Sequence, residues 1–297
     1  MFHKKKSSFC IAALILLVFT SSFATDKCYC QEKMNLRYKF SRSDIIKYRM
    51  ILNNNTEKRG MASSTGERTI TDQNITLDYS QSIQNTPTNK IMKIVSTISA
   101  FDISMKKNEK ELPVPGEISK EIAGKKFFFT MKDNGQILDF YPPQDIYDAP
   151  FSIDIISAVI EHLYPALPEK EIKIGNTWLS NFEIIAPKPA EGKIFSSFNY
   201  TLSGIENIND VPCAVITFWG TFRSYFENKL GTKDKEINII GSSEGKTYIS
   251  KKDGTIVKAD EKMTMNIISE INSFSEGKAD TKHVQDTIKT DISVELQ

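Results

Sequence analysis

Apolar and polar residues alternate along most of this chain. Leu36, Tyr38 and Phe40 alternate with Arg37 and Lys39, and beyond a turn at 41–44 Ile46, Tyr48, Met50 and Leu52 alternate again. Period two puts every second side chain on one face, so these runs predict a hairpin of half-buried strands. A polar loop follows at 53–67, interrupted by Gly60 and Gly66. Strands are predicted at 75–79 and 90–105, with Ile94, Ile98 and Ala100 on one side, and a short helix or turn at 116–123. Residues 125–141 form a hairpin, FFFTM-KDNG-QILDF, whose Gly135 takes positive φ at no steric cost.

The period then changes. Over 148–164 Asp154, Ser157 and Glu161 fall on one narrow stripe at roughly 100° per residue. Phe151, Ile155, Ile156, Val159, Ile160, Leu163 and Tyr164 occupy most of the remaining circumference. Asp148 can accept bonds from the first-turn N–H groups, Pro150 is harmless in that turn, and Pro165 ends the ladder. A helix apolar over more than half its girth is wrapped by other structure.

Strands resume with Ile172 and Ile174, turn at Gly175-Asn176, and continue through a hairpin of 194–202 and 213–226. In its second strand Ala214, Ile216, Phe218 and Phe222 share a face, and Trp219 points the other way. The last hairpin joins 237–250 to 255–271 through KKDG, a strong turn signal. Gly241 and Gly245 predict bulges or sharp curvature in a sheet that wraps around something. From 273 the composition is polar and predicts a mostly unstructured tail.

The fold class expected is therefore mainly β (α+β): a curved antiparallel sheet or half-barrel wrapped around one central helix at about 148–164. One domain spans 35–272, with β halves at 35–141 and 170–272, a loose segment at 25–34 before it and the tail at 273–297 after it.

Residues 1–24 have the order of a signal peptide: Lys4-Lys5-Lys6, an apolar run of eleven residues at 9–19, then Ser22 and Ala24 as small residues before a cut. That run is too short to span a bilayer core, which needs about 20 apolar residues, so no transmembrane segment is expected after cleavage. A periplasmic or secreted location follows. Cleavage removes three lysines and no acid, moving the formal charge from +1 to −2. A near-neutral balance argues against nucleic acid. In an oxidising compartment Cys28 or Cys30 can pair with Cys213, leaving one thiol over.

Motifs for phosphate binding, nucleophilic catalysis and zinc are missing from the sequence. His162 stands alone on the helix, so no catalytic residue, metal ligand or cofactor is assigned and the chain is read as a non-enzyme. Eighteen Phe, ten Tyr and two Trp are the one excess. They either fill a core or line an apolar cavity between helix and curved sheet. Phe151, Ile155, Ile156, Val159, Ile160, Trp178 and Phe218 are the candidates for such a cavity.

The segment LPEKEIKIGNTW, at 167–178, resembles a pattern of uncharacterised secreted bacterial proteins, L-P-x-x-x-V-x-V-G-D-x-W. Gly175, Thr177 and Trp178 match, Ile172 and Ile174 stand for the valines, and Asn176 replaces the acid. GSSEGKTYISKKDGTIVKA is similar to that family's closing hairpin. The family has no assigned activity. More distantly, strands around one helix resemble the half-barrel of periplasmic lipoprotein carriers, a likeness of fold alone. The expectation is an exported, non-enzymatic envelope protein that binds an apolar small molecule or a lipidated protein. The alternative is a structural or protein-interaction module with a filled core.

Overall fold

The computed structural model describes residues 33–39, 45–60, 68–85, 91–114, 116–141, 164–185, 191–230, 233–275 and 278–297. Twelve strands form one antiparallel sheet. The first half is a meander of β1 (Ile45–Gly60), β2 (Arg68–Asn85), β3 (Ile91–Lys107), β4 (Lys110–Leu112), β5 (Lys126–Lys132) and β6 (Ile137–Tyr141), with a short helix α1 (Gly116–Ile122) before β5. The second comprises β7 (Thr177–Ile185), β8 (Glu191–Ile208), β9 (Val211–Leu230), β10 (Lys233–Ser250), β11 (Ile256–Ser275) and β12 (Lys278–Leu296). The order is β6-β5-β3-β2-β1-β12-β11-β10-β9-β8-β7, with β4 paired to β3. Strands β8–β11 hold 18 to 20 residues, a reach of about 60 Å.

The inner face can be followed strand by strand. Tyr200, Phe218, Gly245, Glu261, Ile292, Leu52, Ile75 and Ile103 pair in one continuous row from β8 to β3. The row above runs Leu202, Ile216, Thr247, Ala259, Val294, Met50, Leu77, Phe101. These apolar side chains are buried and belong to one cluster. The opposite face carries charge: Arg49 donates to both carboxylate oxygens of Asp78 at 2.7 and 2.8 Å, and Lys193 meets Glu183 at 2.7 Å.

Two turns take the tight form in which both central residues have positive φ. They are Asn108-Glu109, between β3 and β4, and Asn209-Asp210, between β8 and β9. Their backbone twist matches that of the flanking strands.

Several expectations are corrected. The tail at 273–297 is largely strand: β12 inserts between β1 and β11, pairing with both. Its composition is polar only when both faces are averaged. Thr290, Ile292 and Val294 are buried or inward, while Lys289, Asp291 and Glu295 face water. The loop expected at 53–67 is strand as far as Gly60, because its polar residues find polar partners across the ladder. Asn54 donates to Gln73, and Asn55 to Asp72. The alternation at 36–40 does mark burial of Leu36 and Tyr38, but this stretch forms no hairpin with 46–52. Tyr38 N–H instead donates to Asp133 O and Lys39 N–H to Asp253 O, linking two distant turns. Gly241 and Gly245 lie in unbroken register. Each is bare because a ring, Phe222 or Phe218, lies where its Cβ would be.

The central helix has no support among the described residues. Phe151, Ile155, Ile156, Val159 and Ile160 lie outside them, as do the signal segment 1–24, Cys28 and Cys30. Tyr164, at the helix's expected end, is a buried bend. The short helix expected at 116–123 is present as α1.

Candidate functional site at the seam of the sheet

The chemistry at this site starts from two turns of like sequence, Lys132-Asp133-Asn134-Gly135 and Lys252-Asp253-Gly254. Both glycines have positive φ. A Cβ on Gly135 would stand 2.5 Å from the Pro165 carbonyl oxygen and 2.6 Å from the Tyr38 ring. The turns thus grip the segment around Tyr38 from two parts of the sheet. Arg37 adds a second clasp. Its guanidinium donates to Pro168 O at 2.7 Å and Glu169 O at 2.6 Å, and lies 3.8 Å from Asp133.

These clasps hold the stretch 164–172 along the seam. Leu167 N–H donates to Asn134 O, and Met34 and Ile172 exchange backbone bonds. Strands β6 and β7 end the sheet order, yet both ends of the sheet border one cleft of about 430 Å³. One wall is the β5–β6 turn and Ile137, the second is 164–169, and the third is β7 from Trp178 to Phe182, with Tyr200 beneath. The sheet therefore curls until its two ends face each other.

Four rings line the cleft: Tyr164, Trp178, Phe182 and Tyr200. Trp178 stacks on Tyr200 at 5.7 Å, and its Nε1–H donates to Ala166 O at 2.6 Å. Phe182 stacks on Phe198 at 6.2 Å. Tyr164 Oη donates to Gln81 Oε1 at 2.5 Å, and Gln81 in turn donates to Ser96 at 3.3 Å. Tyr38 Oη donates to Pro165 O at 3.1 Å. Among the described residues Tyr48 Oη and Tyr79 Oη, stacked at 5.4 Å, meet no hydrogen-bond partner. Burial raises the pKa of Tyr38, Tyr48 and Tyr79 well above the ordinary phenol range. It also raises those of Tyr164 and Tyr200, the latter against a bond from the Ala166 backbone. All five phenols stay neutral at physiological pH.

Of the cavity candidates named from sequence, Trp178 lines the cleft. Phe218 is buried behind it, 6.0 Å from both Tyr200 and Phe198. The five helix candidates lie outside the described residues. Cys213 is buried, its thiol without a disulfide partner among the described residues, and burial raises its pKa. Glu261, buried on the inner face, accepts a bond from Ser243. No group of three His, Cys, Asp or Glu side chains among the described residues is placed to hold a metal ion, and no described helix is long and apolar enough to cross a membrane.

Sequence reasoning missed the roles of Tyr38, Tyr164, Gln81 and Tyr200. The signal available was the pair of KDNG and KKDG turns, whose likeness reflects a shared task of holding Tyr38. The stretch 167–178 that carries the family resemblance supplies cleft wall through Leu167, Pro168 and Trp178.

No protein-family model and no curated protein sequence matches the chain. Among solved structures, Pseudomonas aeruginosa OccK1 (OpdK) aligns over 84% of this chain and 99% of its own at 7% identity and a TM-score of 0.20. Pseudomonas aeruginosa OccK7 (OpdD) aligns over 85% and 99% at 6% identity and 0.20. Pseudomonas aeruginosa OpdK with vanillate aligns over 86% and 99%, at 6% identity and 0.18. Scores this low carry no argument about this chain's architecture or role.

Proposed function

We propose that this is an exported, non-enzymatic envelope protein that holds an apolar or lipid-like ligand in the cleft at the seam of its curled sheet. The observation that carries the reading is the aromatic cleft of about 430 Å³ formed by Tyr164, Trp178, Phe182 and Tyr200. That volume lies in the range of small-molecule sites, about 300–1,000 Å³, which are concave, mostly apolar and carry a few placed polar groups. The distribution of polarity supports it. Charge pairs such as Arg49–Asp78 occupy the outer face and apolar rows the inner one, the reverse of a barrel whose outer band faces lipid. The two phenols that line the cleft, Tyr164 and Tyr200, stay neutral and suit an uncharged ligand.

Export rests on residues 1–24, with cleavage after Ala24. Mass analysis of the exported product should start at Thr25. Native mass spectrometry with solvent extraction tests the ligand. A bound apolar molecule, lost when Trp178 and Phe182 are replaced by alanine, supports the reading. A bare protein at every preparation, with no uptake of added oleate, favours the filled-core interaction module instead.

A further inference from the structure

The cleft has a second chemistry besides its rings. Trp178, Leu179, Ser180, Asn181 and Phe182 all line it, a run of consecutive residues. Side chains alternate between faces along a strand, so a ligand space touching every residue in turn borders the strand's edge, not one of its faces. Among the described residues β7 pairs with β8 alone. Every second N–H and C=O of β7 therefore points away from β8, toward the cleft.

The two ends of this sheet are treated differently. The β6 end is blunted: five residues, with a register shift against β5 at Thr130/Met131. The β7 end is nine residues of unbroken register, TWLSNFEII, with neither proline nor lysine inside the strand, Pro187 and Pro189 following it in sequence as Pro142 and Pro143 follow β6. Edges left long and regular are templates for another strand, and proteins usually disarm them by the devices seen at β6. Here the undisarmed edge opens into a slot whose far wall is the β5–β6 turn. A bounded cleft of about 430 Å³ takes a short extended segment and is far too small for a second folded copy.

We infer that β7 accepts an extended apolar peptide by strand addition, its backbone paired to the β7 edge and its alternate side chains directed inward onto Trp178, Phe182 and Tyr200. The inference rests on the reading of the cleft as a ligand site and names the ligand class. Main-chain bonds would give affinity, and the aromatic side would select bulky apolar residues at every second position.

Two tryptophans are present, Trp178 in the cleft and Trp219, 61% exposed on the outer face. In a Trp219→Phe background, fluorescence reports the cleft alone. The probes are a short peptide of alternating threonine and valine, the same peptide N-methylated at alternate amides along one edge, and oleate. Strand addition predicts that the parent peptide shifts Trp178 emission and that methylation weakens it at least about tenfold, since several backbone bonds are lost while the apolar side chains remain. Equal binding of both peptides overturns strand addition. Oleate binding without peptide binding also overturns it and leaves the apolar-ligand reading standing. Binding of no probe by a folded protein overturns both.

Discussion

Gly254 sets its bare Cα against the backbone of Tyr38: a Cβ there would stand 2.9 Å from the Tyr38 Cα and overlap the Arg37 carbonyl oxygen. Its φ of 75° is also one that side chains disfavour. Gly254→Ala should therefore cost about 2–4 kcal/mol, from backbone strain together with overpacking. Gly175→Ala is the control, because its φ is 89° but its Cβ would meet nothing within 4 Å. Strain alone should cost about 1–2 kcal/mol. Urea midpoints of the two variants check the difference.

Tyr164→Phe removes the donor to a buried Gln81 oxygen and should destabilise by about 1–3 kcal/mol. Tyr79→Phe removes a buried hydroxyl that has no partner among the described residues. It should be neutral or stabilising, because the desolvation of that hydroxyl disappears with it. Thermal unfolding of both variants would refute this pairing if Tyr79→Phe proved the worse.

Five buried phenols with raised pKa make the fold alkali-sensitive. Below pH about 10 the phenols are protonated in both folded and unfolded chains and contribute no slope. Above it the unfolded chain releases protons that the folded chain retains. Stability then falls with rising pH, by about 1.4 kcal/mol per unit for each phenol that ionises only on unfolding. Phenolate absorbance at high pH should appear in two parts, exposed tyrosines first and the buried set together with loss of circular dichroism. Independent titration of the buried set in a folded protein would contradict it.

Ile216→Ala, in the middle of the inner face and fully buried, should cost about 2–5 kcal/mol. Ile240→Ala, 61% exposed on the outer face, should change stability by less than about 0.5 kcal/mol. Equal effects would mean that the outer face is covered as well.

Local alternation made much of this sheet legible. The face shared by Ala214, Ile216, Phe218 and Phe222 and the outward Trp219 follow directly from period two, as do the hairpins through KDNG and KKDG. What stayed hidden depends on distant partners. Asn53 to Gly60 reads as loop until Gln73 and Asp72 are known to stand opposite Asn54 and Asn55. The residues of β12 read as tail because their apolar members, Ile288, Ile292 and Val294, are outnumbered by the polar ones between them. The seam was half legible. Trp178 stood out as a lone large ring after a turn, but Tyr38, Gln81 and Tyr164 meet only in three dimensions, through contacts 83 and 127 residues apart.

The placement of β12 has a consequence for how the chain can be made. Among the described strands the two meanders share ladder pairing where β1 meets β12, Tyr48 opposite Leu296. A chain emerging from its N-terminus therefore leaves one flank of β1 open until residues 284–296 have been made to pair with it. Closing so long a loop is slow relative to forming either meander. The centre of the sheet is thus completed after the meanders on either side of it, and in that interval β1 is one long strand with an unpaired flank.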